Sequence, residues 1–154
     1  MLASDRFAAL LSRGHRLCRN PSVTWRDLAS EPFIALSHDT SVRLYTDRAF
    51  AQADITVETI IECANSATVG GLVASGLGVS ALPSLVHPLM NLAGLVSRRL
   101  TGPVVSRDLC IVTRTGRVLS PAAAELVAHL VTKAPEIMSQ AKLALQHAPA
   151  LREP

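Results

Sequence analysis

Two short polar runs hold the side chains best placed to do chemistry: Ser37-His38-Asp39-Thr40-Ser41 and Asn65-Ser66-Ala67-Thr68. Each follows an apolar or β-branched stretch and precedes one with helical spacing. Their hydroxyl and amide groups suit two tasks. They can cap the first turn of a helix, or they can join the free N–H groups of that turn in holding an anion. Taken singly, each residue fits the cap better. Two such runs together favour a small-molecule site, because parallel strands would bring both helix N-termini to one sheet edge, where open α/β sheets bind ligands. The residues expected to bind are Ser37, Thr40, Ser41, Asn65 and Ser66.

Other chemistries find less support. Gly76-Leu77-Gly78-Val79-Ser80-Ala81 matches the dinucleotide pattern G-x-G-x-x-G/A. That fingerprint needs a strand before it and a helix after it, whereas here a helix precedes and a strand follows. The favoured reading is a helix end with Gly76 as left-handed cap. No G-x-S-x-G or P-loop occurs. His15, His38, His87, His129 and His147 lack metal-ligand spacing. Cys63 has no neighbouring positive charge in sequence to activate a thiolate, and His38 beside Asp39 is adjacency only. The chain is therefore read as a non-enzyme with no cofactor and no metal.

The elements that must position the two runs follow from pattern. Strands are expected at Phe7–Leu11, Phe33–Leu36, Thr56–Glu62, Leu77–Leu82 and Val104–Thr113, with an edge strand at Leu95–Leu100. Thr24 caps a single helical turn, Trp25–Ala29. Ser41–Ala53 carries Val42, Tyr45, Ala49 and Phe50 on one helical face. Val69, Leu72 and Val73 mark a second helix, and Ser84–Met90 a short one. Ser120-Pro121 starts a last helix, with Leu126, Val127, Leu130 and Val131 as its buried face and Pro135 as its end. A weak helix around Ile137–His147 and a frayed Ala148–Pro154 follow. Alternating strands and helices give an α/β fold with a largely parallel sheet.

Totals set the outer bounds. The chain has 154 residues, 49% hydrophobic and 18% charged, so it is globular. Its net charge of +3 comes with arginines spread along the sequence, and no concentrated basic stripe of the kind nucleic acid needs is visible. Three scattered cysteines, Cys18, Cys63 and Cys110, read as reduced thiols of a cytoplasmic protein. No signal peptide is visible. Cys63–Ser97 has no Asp, Glu, Lys or Arg. Gly70, Gly71, Gly76, Gly78, Pro83, Pro88 and Gly94 break it up, which argues for core rather than membrane.

Several pieces, in order, resemble the effector-binding domain of LysR-type transcriptional regulators. His15-Arg16-Leu17-Cys18 is similar to that family's His-Pro-Leu-Ala turn, with Arg where Pro is usual. Trp25-Arg26-Asp27-Leu28 and Pro32-Phe33-Ile34 resemble the next segment. Gly71 to Pro83, GLVASGLGVSALP, resembles its most recognisable stretch, and Ser120-Pro121-Ala122-Ala123 the start of its last helix. The likeness covers residues 5 to 134.

The resemblance implies a periplasmic-binding-protein-like (type 2) fold: two α/β lobes, two crossover strands, and an effector in the cleft. On that pattern residues 1–14 hold a crossover strand from an incomplete first lobe, and 15–104 form the effector-binding second lobe. Residues 105–135 hold the returning strand and helix of the first lobe, and 136–154 the tail. The family's winged helix-turn-helix, linker helix and opening half-lobe have no counterpart, so the chain reads as a regulator fragment. Expected partners are a small anionic metabolite and further copies of the chain (a homo-oligomer). DNA is expected only through the missing N-terminal domain, and no membrane. Two alternatives stay open: a lobe of a transport-type solute-binding protein, and a non-functional truncated remnant that self-associates.

Overall fold

The computed structural model describes residues 1–90 and 94–146. Its central strand is β1 (Ala3–Ser12). Phe7, Ala8, Ala9, Leu10 and Leu11 run without a polar residue, and all five are buried. A strand apolar on both faces needs cover on both faces. Its inner half pairs antiparallel with β5 (Ser80–Pro83), from Phe7 against Pro83 to Leu10 against Ser80. On its other side lies β6 (Leu95–Thr101), with Ala8 against Arg99 and Ser12 against Leu95. β2 (Ser22–Thr24) joins β6 in parallel. The outer part of β1, Ala3–Arg6, pairs with β7 (Ser106–Leu109).

β3 (Phe33–Leu36) and β4 (Thr59–Cys63) form a parallel pair, Leu36 against Cys63. A parallel bridge from Phe33 to Val79 links this pair to the approach of β5, with Ile34 N–H donating to the Val79 carbonyl at 2.9 Å. Since β5, β6 and β7 all oppose β1, every strand except β1 runs in one direction. The α/β class and the mainly parallel sheet expected from the alternation of elements both hold.

Local sequence explains the helices. Thr24 and Asp27 form a capping box around α1 (Trp25–Ala29), the Thr24 N–H donating to Asp27 Oδ2 at 2.8 Å. Trp25 is fully buried and donates to the Pro103 carbonyl at 2.8 Å. Phe50 of α2 (Ser41–Gln52) meets the rings of Trp25 and Phe33 edge-on, at 5.0 and 5.2 Å. α3 (Ser66–Ala74) buries Val69 and Val73 and ends in a Schellman turn. There Gly76, at φ +78°, donates to Val73 and Leu77 donates to Leu72. Gly78 serves close approach: a Cβ there would collide with the Pro32 carbonyl.

Four expectations are corrected. β6 is no edge strand, since β2 lies outside it. β2 has three residues, too few to show a period of two, so β6 looked outermost. The Thr56–Glu62, Leu77–Leu82 and Val104–Thr113 strands become β4, β5 and β7: each starts later than expected, β4 and β5 run one residue further, and β7 ends at Leu109. α4 (Pro121–Gln146) runs through Pro135. The lost N–H frees the Val131 carbonyl, which is on an exposed turn where water can take its place. Finally, the expected buried face of α4 is largely open, with Leu126 58% and Val131 56% exposed, while Ala134 is buried. The expected frayed tail, Ala148–Pro154, and His147 at the end of the expected weak helix lie outside the described residues. Among the described residues, no helix is long and apolar enough to cross a membrane.

Candidate functional site

Because β3 and β4 are adjacent and parallel, their polar joints open at the same sheet edge, about 4.8 Å apart at their roots. The structure thus brings the five expected residues to one edge. Ser37, Thr40 and Ser41 lie on the joint into α2. Asn65 and Ser66 lie on the joint into α3.

The first joint is braced by its own side chains. Ser37 donates through both its N–H and its hydroxyl to the Cys63 carbonyl, at 2.9 and 3.0 Å, which ties the end of β3 to the end of β4. Thr40 donates its hydroxyl to the Ser37 carbonyl at 2.8 Å and accepts from the Arg43 N–H at 3.2 Å, as the N-cap of α2. Asn65 caps α3 by accepting from the Thr68 N–H and hydroxyl, at 2.9 and 3.0 Å. The Asn65 amide nitrogen and the hydroxyls of Ser41 and Ser66 take no part in these caps. Helix geometry leaves the N–H groups of Ser41, Val42, Ser66 and Ala67 without intrahelical acceptors.

One cluster escaped the sequence reading. Arg43 is buried, and its Nη1 donates to Glu62 Oε1 at 2.8 Å and to the Leu36 carbonyl at 3.2 Å. Its Nε reaches Asp47 at 2.8 Å. His38 lies 3.1 Å from the same Glu62 oxygen. The hydrogen bond from Arg43 holds the Glu62 carboxyl below its ordinary range. The only hint in the sequence was the Arg43 to Asp47 spacing of i,i+4. The Glu62 carboxylate at this edge would repel an anion, and the Arg43 guanidinium offsets that one charge, while Asp39 places a second carboxylate on the first joint. Burial pushes the Cys63 thiol up, so it stays protonated at neutral pH.

A family model described as the LysR substrate binding domain matches residues 1–135. The chain belongs to that family. This LysR substrate-binding domain is 32% identical over 130 residues to the uncharacterized HTH-type transcriptional regulator YbhD of Escherichia coli, covering 84% of this chain and 41% of that protein. It superposes on HinK, a LysR family transcriptional regulator from Pseudomonas aeruginosa, with TM-score 0.68 and 26% identity over 86% of this chain and 46% of that one. The effector-binding domain of QuiR, solved with shikimate, shares the fold at TM-score 0.66 and 18% identity, over 88% of this chain and 64% of that one. The chain spans about two fifths of the length of the curated relative.

Proposed function

We propose that this LysR substrate-binding domain senses a small anionic metabolite, a carboxylate above all, at the paired N-termini of α2 and α3. The observation that carries the reading is the parallel β3–β4 pair, which sets two helix N-termini side by side. Their N–H groups and dipole ends favour negative charge. Ser41, Ser66 and the Asn65 amide make the direct contacts. Ser37 and Thr40 hold the joint in shape. A shikimate complex of a neighbour with the same fold supports the ligand class.

Residues 15–104 act as the effector-binding lobe, β1 and β7 as crossovers, and α4 as part of the other lobe. Closure of a cleft by a hinge at the crossovers passes the signal on. In a whole cytoplasmic regulator, sequence-specific DNA binding resides in a winged helix-turn-helix, and the domain works as a homo-oligomer without catalysis. The test is calorimetry against small carboxylates, shikimate first, with the Thr40→Ala/Ser66→Ala double variant. Binding is expected in the parent chain and lost in the variant, with circular dichroism unchanged. Equal binding by both proteins would remove the site from this edge.

A further inference from the structure

The arginines that look scattered in the sequence are gathered by the fold. β1 pairs with β6 and β6 with β2, so Arg98 and Arg99 lie beside the segment that carries Arg13, Arg16, Arg19 and Arg26. Ser22 sits directly against Arg99, the Arg98 guanidinium donates to the Cys18 carbonyl at 2.8 Å, and the Arg13 N–H donates to the Gly94 carbonyl beside β6. Six arginines thus line β6 and β2, from Arg13 beside Gly94 at one end to Arg26 just beyond the Thr24–Thr101 pair at the other, with two carboxylates that are both engaged. Asp27 accepts from Thr24, and Glu31 pairs with Arg16 and His15. Arg13, Arg19, Arg26 and Arg99 are exposed, and among the described residues none of them is in an ion pair.

The segment around α2 and β4 has the opposite sign, although Phe50 of α2 packs against Trp25 of α1. From Asp39 to Glu62, around α2 and β4, five carboxylates face two arginines. A net charge of +3 therefore hides a strongly basic edge. The apolar residues of that edge, Leu17, Val23, Trp25 and Leu28 among them, are buried. A protein partner would want an exposed aromatic or aliphatic anchor at the centre of its contact. A phosphate backbone needs only the guanidinium groups.

We infer that the β2 edge is a sequence-independent contact surface for the phosphate backbone of duplex DNA. The inference rests on the reading of this chain as part of a DNA-binding regulator. The edge does not read bases. It holds flanking duplex against the effector-binding lobe, so that a ligand-driven movement of the lobe acts on DNA as well as on the DNA-binding head.

The test is fluorescence anisotropy of the full 154-residue chain with a labelled 20-base-pair duplex of arbitrary sequence, from 20 to 200 mM salt. Binding in the range of about 1–100 μM is expected at the lowest salt, with log K falling against log salt at a slope of about −3 to −5 and vanishing near physiological salt. Replacing Arg13, Arg19, Arg26 and Arg99 together by Gln should cost at least tenfold at 20 mM salt. The same change at the exposed Arg6, Arg48, Arg114 and Arg117 should cost less than threefold. Circular dichroism checks that both variants fold. No binding at 20 mM salt, or equal losses in the two variants, would overturn the inference. So would tighter binding of a poly-glutamate peptide than of the duplex at matched salt, which would assign the edge to an acidic protein. Carboxylate calorimetry on the quadruple variant keeps the two proposals apart, because none of the four replaced arginines is on either joint.

Discussion

Arg43 and Glu62 form the bond that joins helix α2 to strand β4: the guanidinium donates to the carboxylate at 2.8 Å while also bonding the Leu36 carbonyl. Removing Arg43 leaves that carbonyl and the Glu62 carboxylate without this donor. Arg43→Met should therefore lower stability by about 2 kcal/mol, read by urea unfolding. Arg43→Lys should recover only part of the loss, since an ammonium cannot reach three acceptors in the guanidinium's fork geometry.

The same bond has a pH signature. Glu62 is held below its ordinary value, so the stability it adds is fully present above the unfolded carboxyl pKa of about 4.3 and is lost as pH falls through the lower folded value. Arg43→Met should flatten the stability profile in that acidic window and leave its slope near neutrality unchanged.

Local sequence decides what can be read before the fold is known. Phe33–Leu36, the Trp25–Ala29 turn and the Gly76 cap could be read because each is set by neighbours in sequence. The two joints could be placed for the same reason. The Arg43 cluster could not, because Glu62 is 19 residues away and meets Arg43 only once α2 packs on β3 and β4 pairs beside it. The apolar stripe of α4 is real and marks a buried face by spacing alone, yet among the described residues little covers it. β6 reads as an edge strand because β2, which pairs with its Arg99–Thr101 end, is only three residues long.

His87 gives a second acid-sensitive point. Burial pushes its imidazole down to about 4, against the opposing pull of a bond to Leu82 and of the Asp5 charge, and Nδ1 lies 2.5 Å from the Ser97 hydroxyl. The unfolded chain takes up this proton near pH 6.5 and the folded chain does not, so stability should fall by about 3 kcal/mol from pH 6.5 down to 4. His87→Gln should remove that slope in denaturation series taken at stepped pH.

Gly78 should tolerate no side chain. Its added Cβ would meet the Pro32 carbonyl, which also accepts from the Val79 N–H at 2.9 Å at the β3–β5 link. Gly78→Ala should cost roughly 1–3 kcal/mol in thermal or urea unfolding. A neutral result would mean that the backbone approach at Pro32 relaxes freely.

Asp5 is a fully buried carboxylate on β1. It accepts from the Ser84 hydroxyl at 2.8 Å and the Leu85 N–H at 3.1 Å, and it meets Arg107 of β7 at 3.3 Å. Asp5→Ala leaves all three donors without it and should cost about 3 kcal/mol. Hydrogen exchange should quicken first at the Leu2 and Phe7 amides, which bond to Leu109 and Val105.

The central claim, an anion held between the N-termini of α2 and α3, is tested most directly by a nitrogen-15 correlation titration with shikimate. The amides of Ser41, Val42, Ser66 and Ala67 are expected to shift together and saturate along one binding curve. Saturable shifts confined to other residues, or no shifts at these four amides while ligand binds by calorimetry, would contradict it.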